Sequence, residues 1–312
     1  MTSAHAPLVR GVQVDAPAKL NLLLRVLARE ASGFHSLETL FIKLALCDRV
    51  HIRTDTTDRS LTCDGPSMPP AGLGTPEDNL AWRAAVRFTE CAGWPTGFAM
   101  HIDKHIPVGG GLGGGSADAA AVLRGLNAIA PTALSQPALM ELAGELGSDV
   151  PFLASDELLA WGWSRGDRLL GLPPLPTMAV RLVTFADGVN TAAAYGALTR
   201  QREASRAARS AHYDAAAFST WESIARLAEN DFEQVVPALH TGVARWLTLV
   251  RTAAKALREQ GEACIGLMSG SGATCFLLHA PFFETDWPAM AEGERLVKTR
   301  TAGAIVAPVP IV

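Results

Sequence analysis

The chain has 312 residues, 48% of them hydrophobic and 19% charged, with a formal net charge of −4. This length can bury a large core and suits two domains or one large one. The slightly acidic balance argues against a general nucleic-acid binder, which carries an excess of basic residues. No run approaches the roughly 18 apolar residues that span a bilayer, and the first residues lack the apolar segment of a secretory signal. We therefore expect a soluble, cytoplasmic protein.

The predicted elements of the first third are strands around one helix. Partial alternation of apolar and polar residues predicts a strand around 16–19 and another over 48–55. After a turn-rich loop over 63–79, apolar residues on one face predict a helix. The segment 97–107 alternates again and predicts a strand that leads directly into a glycine-rich stretch.

Two helices are predicted after the glycines, followed by a mixed second half. Apolar residues recur at helical spacing over 116–131, and a second helix begins after its expected N-cap Ser135 and ends at Gly147. The proline-rich segment 169–178 is the best candidate for a domain boundary. A strand, alanine-rich helical sequence and a strand–glycine turn–strand over 262–280 follow. This mixture predicts an α+β fold rather than regular βαβ alternation.

The glycine-rich stretch reads PVGGGLGGGSADAA over residues 107–120 and places six glycines in seven positions. A flexible linker is a poor explanation, because a predicted strand precedes the stretch and a predicted helix follows it. A glycine turn at a helix N-terminus presents unpaired N–H groups and the positive end of the helix dipole, which together bind phosphate. Ser116 is then either the helix cap or a hydroxyl that binds a phosphate or its metal ion.

Three common nucleotide-binding motifs explain this stretch poorly. Gly109, Gly111 and Gly114 satisfy GxGxxG, but the match is nearly automatic in so glycine-rich a sequence, and no acidic residue clearly ends a second strand about 20 positions on. The Walker A motif fails, because Gly115 and Ser116 stand where a Lys-Ser/Thr pair is needed. No HRD or DFG motif supports a protein kinase. A dinucleotide-dependent oxidoreductase is thus a distant alternative.

The glycine stretch resembles the central phosphate-loop motif of the GHMP small-molecule kinases. APAKLNLLL (16–24) resembles their N-terminal motif and GLMSGSGATCFLL (266–278) their C-terminal glycine loop, in the same order. Within this superfamily, GFHSLETLF (33–41), LGSDVPF (146–152), ADGVNTAAAY and NDFE are similar to members that phosphorylate a cytidine diphosphate-linked alcohol in the non-mevalonate isoprenoid route. The resemblance covers residues from about 14 to 280.

The resemblance implies a two-domain GHMP kinase fold of the α+β class. An N-terminal ATP-binding α+β domain would cover 1–168 and a C-terminal ferredoxin-like α+β domain 169–312, with the site between them. It also implies ATP as phosphoryl donor with Mg²⁺ on its phosphates, and a small-molecule substrate linked to cytidine diphosphate. The sequence identifies no protein ligand for the metal. His101 and His105 cannot share one ion, because four strand residues span about 13 Å.

The resemblance implies Asp149 as the base that takes the proton of the acceptor hydroxyl, with Lys19 beside it. Phosphoryl transfer needs a positioned hydroxyl, charge compensation and usually a group that accepts this proton. Without the resemblance, an aspartate after Gly147 is usually a turn former, and Val150 is expected in extended geometry before Pro151. A lone strand lysine is ordinarily an exposed residue, and this is the alternative for both Lys19 and Lys104.

The resemblance also implies the ligand-binding residues. Phe34 and Tyr195 would stack on the cytosine, an interaction worth roughly 1–3 kcal/mol per base. His35 would hydrogen-bond the base, and Asn21 and Thr191 would contact the substrate. The residues implied to bind ATP are Asn79, Lys104, Pro107, Val108, Gly109, Gly110, Gly111, Leu112, Gly113, Gly114, Gly115, Ser116 and Ala117.

Several alternatives stay open on the sequence. Asp118 receives no ligand role, because a negative charge near phosphate requires a helix N-terminus or a metal beside it. Gly270, Ser271 and Gly272 are expected to pack the third glycine loop against the first. A kinase acting on homoserine, mevalonate or a sugar is the nearest rival, and a non-catalytic nucleotide-binding relative is another. No nucleic-acid or membrane partner is expected, and the sequence does not predict the oligomeric state.

Overall fold

The structure, a computed structural model, describes residues 10–29, 35–205, 212–280 and 287–312. Within these ranges the chain forms twelve strands: β1 (Gly11–Arg29), β2 (His35–Arg53), β3 (Arg59–Asp64), β4 (Phe98–Asp103), β5 (Leu159–Ser164), β6 (Arg168–Leu172), β7 (Ala179–Phe185), β8 (Glu229–Asn230), β9 (Ile265–Met268), β10 (Cys275–His279), β11 (Glu294–Arg300) and β12 (Val309–Ile311). It also forms eight α-helices: α1 (Leu80–Ala92), α2 (Gly114–Ile129), α3 (Gln136–Leu146), α4 (Val150–Ala154), α5 (Thr191–Ser205), α6 (Trp221–Leu227), α7 (Val236–Leu239) and α8 (Thr241–Glu259). This mixture confirms the α+β class.

Two long antiparallel strands organise the first sheet. β1 and β2 are each 19 residues long and pair along nearly their whole length. The strand order is β12-β1-β2-β4-β3, while β5 and β6 extend from β2 and β8 pairs with β1 in parallel. Val12, Val14, Ala16, Ala18 and Leu20 are buried at alternate positions of β1, because successive strand side chains point to opposite faces. The two strands predicted at 16–19 and 48–55 are therefore parts of these longer ones.

The helix after the glycine-rich stretch forms the centre of the first layer. α2 packs against β1 and β2, and α1, α3 and α4 pack around it. Every residue from Ala117 to Leu126 is buried. Gly125 allows close approach to the sheet, because a Cβ there would lie 2.7 Å from a methyl group of Val14. The alanines and this glycine thus fix the distance between helix and sheet, and with it the position of the loop that precedes the helix.

A second, four-stranded antiparallel sheet has the order β11-β7-β10-β9. Helix α8 packs on β9 and β10 with Val243, Trp246 and Val250 buried at helical spacing. This sheet-and-helix layer matches the expected ferredoxin-like architecture of the second half.

The chain crosses between the two sheets more than once. Residue 168, where the expected N-terminal domain ends, is the first residue of β6, which pairs with β5 in the first sheet. Strands β8 and β12 come from the second half of the chain and pair with β1. The division into 1–168 and 169–312 stays a prediction.

The structure also describes the cysteines and tests for membrane-spanning helices. All five cysteines are free thiols, and only Cys91 among them is exposed. In the described part of the chain, no helix combines the length and the apolar character that crossing a bilayer requires.

Candidate active site

The glycine loop connects β4 to α2 and turns through three left-handed residues. Gly109, Gly111 and Gly113 have φ values of 76°, 75° and 74°, a conformation that glycine adopts at little cost. The first amide bonded within α2 is that of Ala117, which donates to the carbonyl of Gly113 at 2.8 Å. The preceding amides of the first turn therefore lack partners inside the helix, as a phosphate site requires.

Ser116 does not cap this helix. Gly113 occupies the N-cap position and makes no side-chain bond, while Ser116 lies in the first helical turn and is half-buried. Of the two roles considered for this serine, capping is wrong. A hydroxyl directed to a ligand stays a prediction.

The third glycine loop holds the first one in place, as the sequence predicted. The amide of Thr274 donates to the carbonyl of Gly110 at 3.2 Å, and Oγ of Ser269 donates to the carbonyl of Gly111 at 2.9 Å. A Cβ on Gly111 would lie 2.3 Å from the carbonyl oxygen of Ser269. The loop over 270–272 thus packs directly on the glycine-rich stretch.

Lys19 and Asp149 meet beside this loop. Nζ of Lys19 lies 3.3 Å from Oδ2 of Asp149 and donates to Oδ1 of Asn21 at 2.6 Å. The backbone amide of Lys19 donates to the carbonyl of Leu112 at 3.0 Å, which joins β1 to the glycine loop. The lysine side chain is only 4% exposed, so it is not the exposed edge residue that a lone strand lysine suggests. Asn21 in turn donates from Nδ2 to Oγ1 of Thr39 at 2.8 Å.

The backbone around Asp149 differs from the sequence expectation. Val150 is the first residue of α4 and is helical, not extended. Pro151 lies in the first turn of that helix, where its missing N–H breaks no helical bond. Asp149 occupies the N-cap position with φ −85° and ψ −17°, and its side chain is 26% exposed. The start of a short helix, rather than an extended exit, therefore directs the carboxylate to the cleft.

Lys104 is buried beneath the glycine loop between two carboxylates. Its Nζ bonds to Oδ2 of Asp118 at 2.6 Å and also to Oδ2 of Asp48. Oδ1 of Asp48 accepts hydrogen bonds from the amides of His105 and Ile106 at 2.5 and 2.7 Å. The view of Lys104 as an exposed strand lysine is therefore wrong. Its contact with nucleotide stays a prediction, although the side chain lines the same cleft as the glycine loop.

Burial and two neighbouring charges act on the carboxyl of Asp118. Burial raises the pKa of its carboxyl to about 7, the nearby charge of Lys104 opposes the shift, and the charge of Asp48 adds to it. Burial by itself would lower the pKa of Lys104, but Asp118 and Asp48 outweigh it and raise that pKa. Oδ1 of Asp118 has no hydrogen-bond partner among the described residues. Among those residues, no group of three or more His, Cys, Asp or Glu side chains is arranged to hold a metal ion.

An aromatic cluster lies near Asp149. The rings of His35 and Tyr195 stack with centroids 4.5 Å apart and an angle of 22° between planes. Tyr195 also meets Phe232 edge-on at 4.8 Å. Burial and the negative charge of Asp149 raise the pKa of the tyrosine to about 12. Thr191 exchanges a hydroxyl hydrogen bond of 2.9 Å with Ser271. The predicted stacking residue Phe34 lies outside the described residues.

Two neighbouring clefts gather most of the predicted residues. The first has a volume of about 640 Å³, and its walls include Lys19, Asn21, Asn79, Lys104, residues 107–116, Asp149, Thr191 and Tyr195. The second has a volume of about 970 Å³, and its walls include His35. Ala117 is fully buried and lines neither cleft. Five residues line both clefts: Leu37, Ser148, Arg165, Thr191 and Tyr195.

Sequence reasoning missed several residues of these clefts. Thr39 bonds to Asn21, and Phe41 places its ring centroid 5.9 Å from Nζ of Lys19. Thr39 and Phe41 are two positions apart in β2, and strand residues two apart share a face. Their alternation with aliphatic residues is present in the sequence and could have indicated that both side chains face the site. Phe232 belongs to the NDFE motif, which supports the family resemblance but predicts no binding role for this residue. Arg165 lies in a hairpin turn that carried no motif.

Comparison with known proteins identifies the family. A model described as the GHMP kinases N terminal domain matches residues 79–156. The 4-diphosphocytidyl-2-C-methyl-D-erythritol kinase of Pelobacter propionicus is 35% identical over 271 residues, which cover 86% of this chain and 89% of the relative. The chain belongs to the 4-diphosphocytidyl-2-C-methyl-D-erythritol kinase family.

Solved structures agree with this kinase family. A crystal structure of 4-(cytidine 5′-diphospho)-2C-methyl-D-erythritol kinase superposes with a TM-score of 0.66 at 30% identity, covering 94% of this chain and 100% of that one. A homoserine kinase from Cytophaga hutchinsonii has a TM-score of 0.62 but only 15% identity, with 99% of this chain and 100% of that chain covered. The second likeness shows the fold alone. The predicted family, its fold and an ATP-dependent small-molecule kinase activity are thereby confirmed.

Proposed function

We propose that this protein transfers the γ-phosphoryl group of ATP to the 2-hydroxyl of 4-diphosphocytidyl-2-C-methyl-D-erythritol, a step of the non-mevalonate isoprenoid pathway that it would perform in the cytoplasm. One observation carries the proposal: Lys19 and Asp149 are 3.3 Å apart, and the same lysine is bonded through its amide to the glycine loop. A base and a cation thus lie beside a phosphate-binding helix N-terminus. The family membership supports the choice of substrate.

Asp149 and Lys19 have complementary roles in this transfer. The 2-hydroxyl oxygen attacks the γ-phosphorus, the bond from that phosphorus to the bridging oxygen breaks, and ADP leaves. Asp149 accepts the proton of the hydroxyl, a contribution typically worth 10²–10⁴-fold in rate. The ammonium of Lys19 stabilises the charge that develops on the attacking oxygen, and its bond to Asn21 fixes its position.

The rest of the two clefts suits the two substrates. The amides of the glycine loop and of the first turn of α2 would bind the triphosphate. Mg²⁺ on the ATP phosphates would neutralise part of their charge when it is bound. His35 and Tyr195 would hold the cytosine in the second cleft, which continues from the first through shared walls. Phe34 remains part of this proposal as a stacking residue.

Substrate-dependent ATP turnover tests the proposed reaction. The purified protein should consume ATP only when 4-diphosphocytidyl-2-C-methyl-D-erythritol is added, and CDP should inhibit by competing for the cytosine site. Asp149→Asn should lower kcat at least 100-fold, because the amide cannot accept the proton, while ATP still binds. A folded wild-type protein that ignores this substrate and instead phosphorylates homoserine or mevalonate would contradict the proposal.

A further inference from the structure

The two clefts meet at a short strip of shared residues. A substrate that puts its cytosine against His35 and Tyr195 must reach Lys19 and Asp149 with its acceptor hydroxyl. Its diphosphate, which lies between these two ends, has to cross the strip. Arg165 is the only cationic residue of the described chain that lines both clefts.

The backbone presents Arg165 at the tip of the β5–β6 hairpin. Ser164 precedes it with φ 65°, the one positive φ of a non-glycine residue in the described part of the chain, and Gly166 follows with φ 97°. The amide of Gly166 donates to the carbonyl of Trp163 at 3.1 Å and closes the turn. Non-glycine residues adopt positive φ rarely, and such positions cluster at ligand-binding sites.

Asp167 orients the arginine without burying it. Nη2 of Arg165 lies 3.1 Å from Oδ2 of Asp167, whose other oxygen accepts from the backbone amide of Arg165 at 3.3 Å. The arginine side chain keeps 41% of its surface exposed, so a ligand in either cleft can reach it. A guanidinium also offers planar, paired N–H donors that match the geometry of phosphate oxygens.

The other cations of the clefts are poorly placed for this task. Lys19 is bonded to Asn21 and Asp149, at the end where the hydroxyl reacts. Lys104 lies under the glycine loop between Asp48 and Asp118. Arg200 lines the second cleft but not the first.

We propose that Arg165 binds the diphosphate of the cytidine-linked substrate at the junction of the two clefts. The inference rests on the proposed function, because it takes the substrate and its two anchored ends from there. It assigns Arg165 a substrate-specificity role: the arginine distinguishes an alcohol joined to cytidine through a diphosphate from alcohols that lack this group. It takes no part in the proton transfer.

Arg165→Gln tests the assignment by removing the charge at similar length. The KM for 4-diphosphocytidyl-2-C-methyl-D-erythritol should rise at least tenfold, since charge-assisted hydrogen bonds are lost, while kcat and the KM for ATP change less than about twofold. Arg165→Lys should recover part of the loss. Calorimetric titration with CDP should show weaker binding to the glutamine variant, and cytidine, which has no phosphate, should bind to both proteins alike.

Arg168→Gln is the matched control, because this exposed arginine of the same hairpin lines neither cleft. It should behave as the wild type in every measurement, and circular dichroism checks the fold of each variant. If the wild type turns over the substrate but Arg165→Gln keeps its KM and its CDP affinity, the role of Arg165 is refuted and the proposed function stands. Equal weakening of CDP and cytidine would also refute it. A wild type without turnover of this substrate refutes the proposed function itself.

Discussion

At the scale of single residues, the cluster of Asp48, Lys104 and Asp118 sets the charge beneath the glycine loop. Two carboxylates share one ammonium, and all three side chains are almost completely buried. With Asp118 protonated, the cluster is neutral, and with Asp118 ionised its net charge is −1. The pKa of this carboxyl is raised to about 7, so this change of charge falls near neutral pH.

Asp118→Asn should therefore remove a pH dependence of ATP binding. As the pH rises from 6 to 8 through the raised pKa, Asp118 in the wild type loses its proton and its new negative charge repels the triphosphate. We expect the wild-type KM for ATP to rise about threefold, and that of the variant, which stays neutral, to rise less. Steady-state kinetics at both pH values measures the difference.

Asp64→Asn serves as the control, because its carboxylate is exposed at the end of β3 and lines neither cleft. Titration of the ATP phosphates affects all three proteins equally and cancels in the comparison. Parallel pH profiles for the wild type and Asp118→Asn would show that the buried carboxyl does not titrate in this range.

At the scale of elements, the conformation of the glycine loop depends on the third glycine loop that packs on it. Gly111 has φ 75°, and a Cβ there would meet the carbonyl oxygen of Ser269 at 2.3 Å. That oxygen belongs to the loop after β9, which cannot withdraw without losing the bond from Ser269 to Gly111. A single methyl group at this position therefore disturbs two loops.

Gly111→Ala should lower both stability and ATP affinity. The left-handed backbone and the steric conflict together should reduce the free energy of unfolding by about 1–3 kcal/mol, and the KM for ATP should rise at least tenfold. Urea denaturation and steady-state kinetics measure the two effects. Gly144→Ala is the matched change: it lies within α3 with nothing within 4 Å of the new methyl, and it should raise stability by about 0.5–1 kcal/mol. Wild-type kinetics for Gly111→Ala would contradict this account of the loop.

At the scale of the whole molecule, Asn230 joins the two sheets at the site. The residue ends β8, which pairs with β1, and its Nδ2 donates to the carbonyls of Met268 and Gly270 at 2.7 and 2.8 Å. Its Oδ1 accepts from the amide of Phe232 at 3.0 Å. One buried side chain thus ties the first sheet, the third glycine loop and an aromatic wall of the cleft together.

Asn230→Ala should weaken stability and nucleotide binding together. Losing the amide leaves buried carbonyls unsatisfied and should lower the free energy of unfolding by about 2 kcal/mol, while the KM for ATP rises because the third loop no longer supports the first. Asn127→Ala is the control: among the described residues its side chain bonds only to the backbone of Leu134, and it lines neither cleft. It should lose stability and keep the KM. If the two variants have equal KM values for ATP, Asn230 does not support the nucleotide site.

The sequence alone determined two things: the secondary structure around the site, and the family to which the chain belongs. Strand alternation before the glycines, the helix after them and the N-cap Ser135 all appear where expected, because periodicity and capping depend on neighbours in the chain. The family resemblance predicted that Lys19 and Asp149 lie side by side at the reacting hydroxyl. Their roles stay predictions, but the side chains are in contact.

Only the tertiary structure decided which partners the buried charges have and where the clefts join. Lys104 looked like an exposed strand residue, since its partners Asp48 and Asp118 lie on other elements and no local pattern links them. Arg165 gained its position from the hairpin that reaches the junction of two clefts. Burial and charge pairing are set by contacts between segments far apart in sequence. Such contacts depend on many positions of the sequence together and not on a local pattern. They could therefore be identified only in the folded structure.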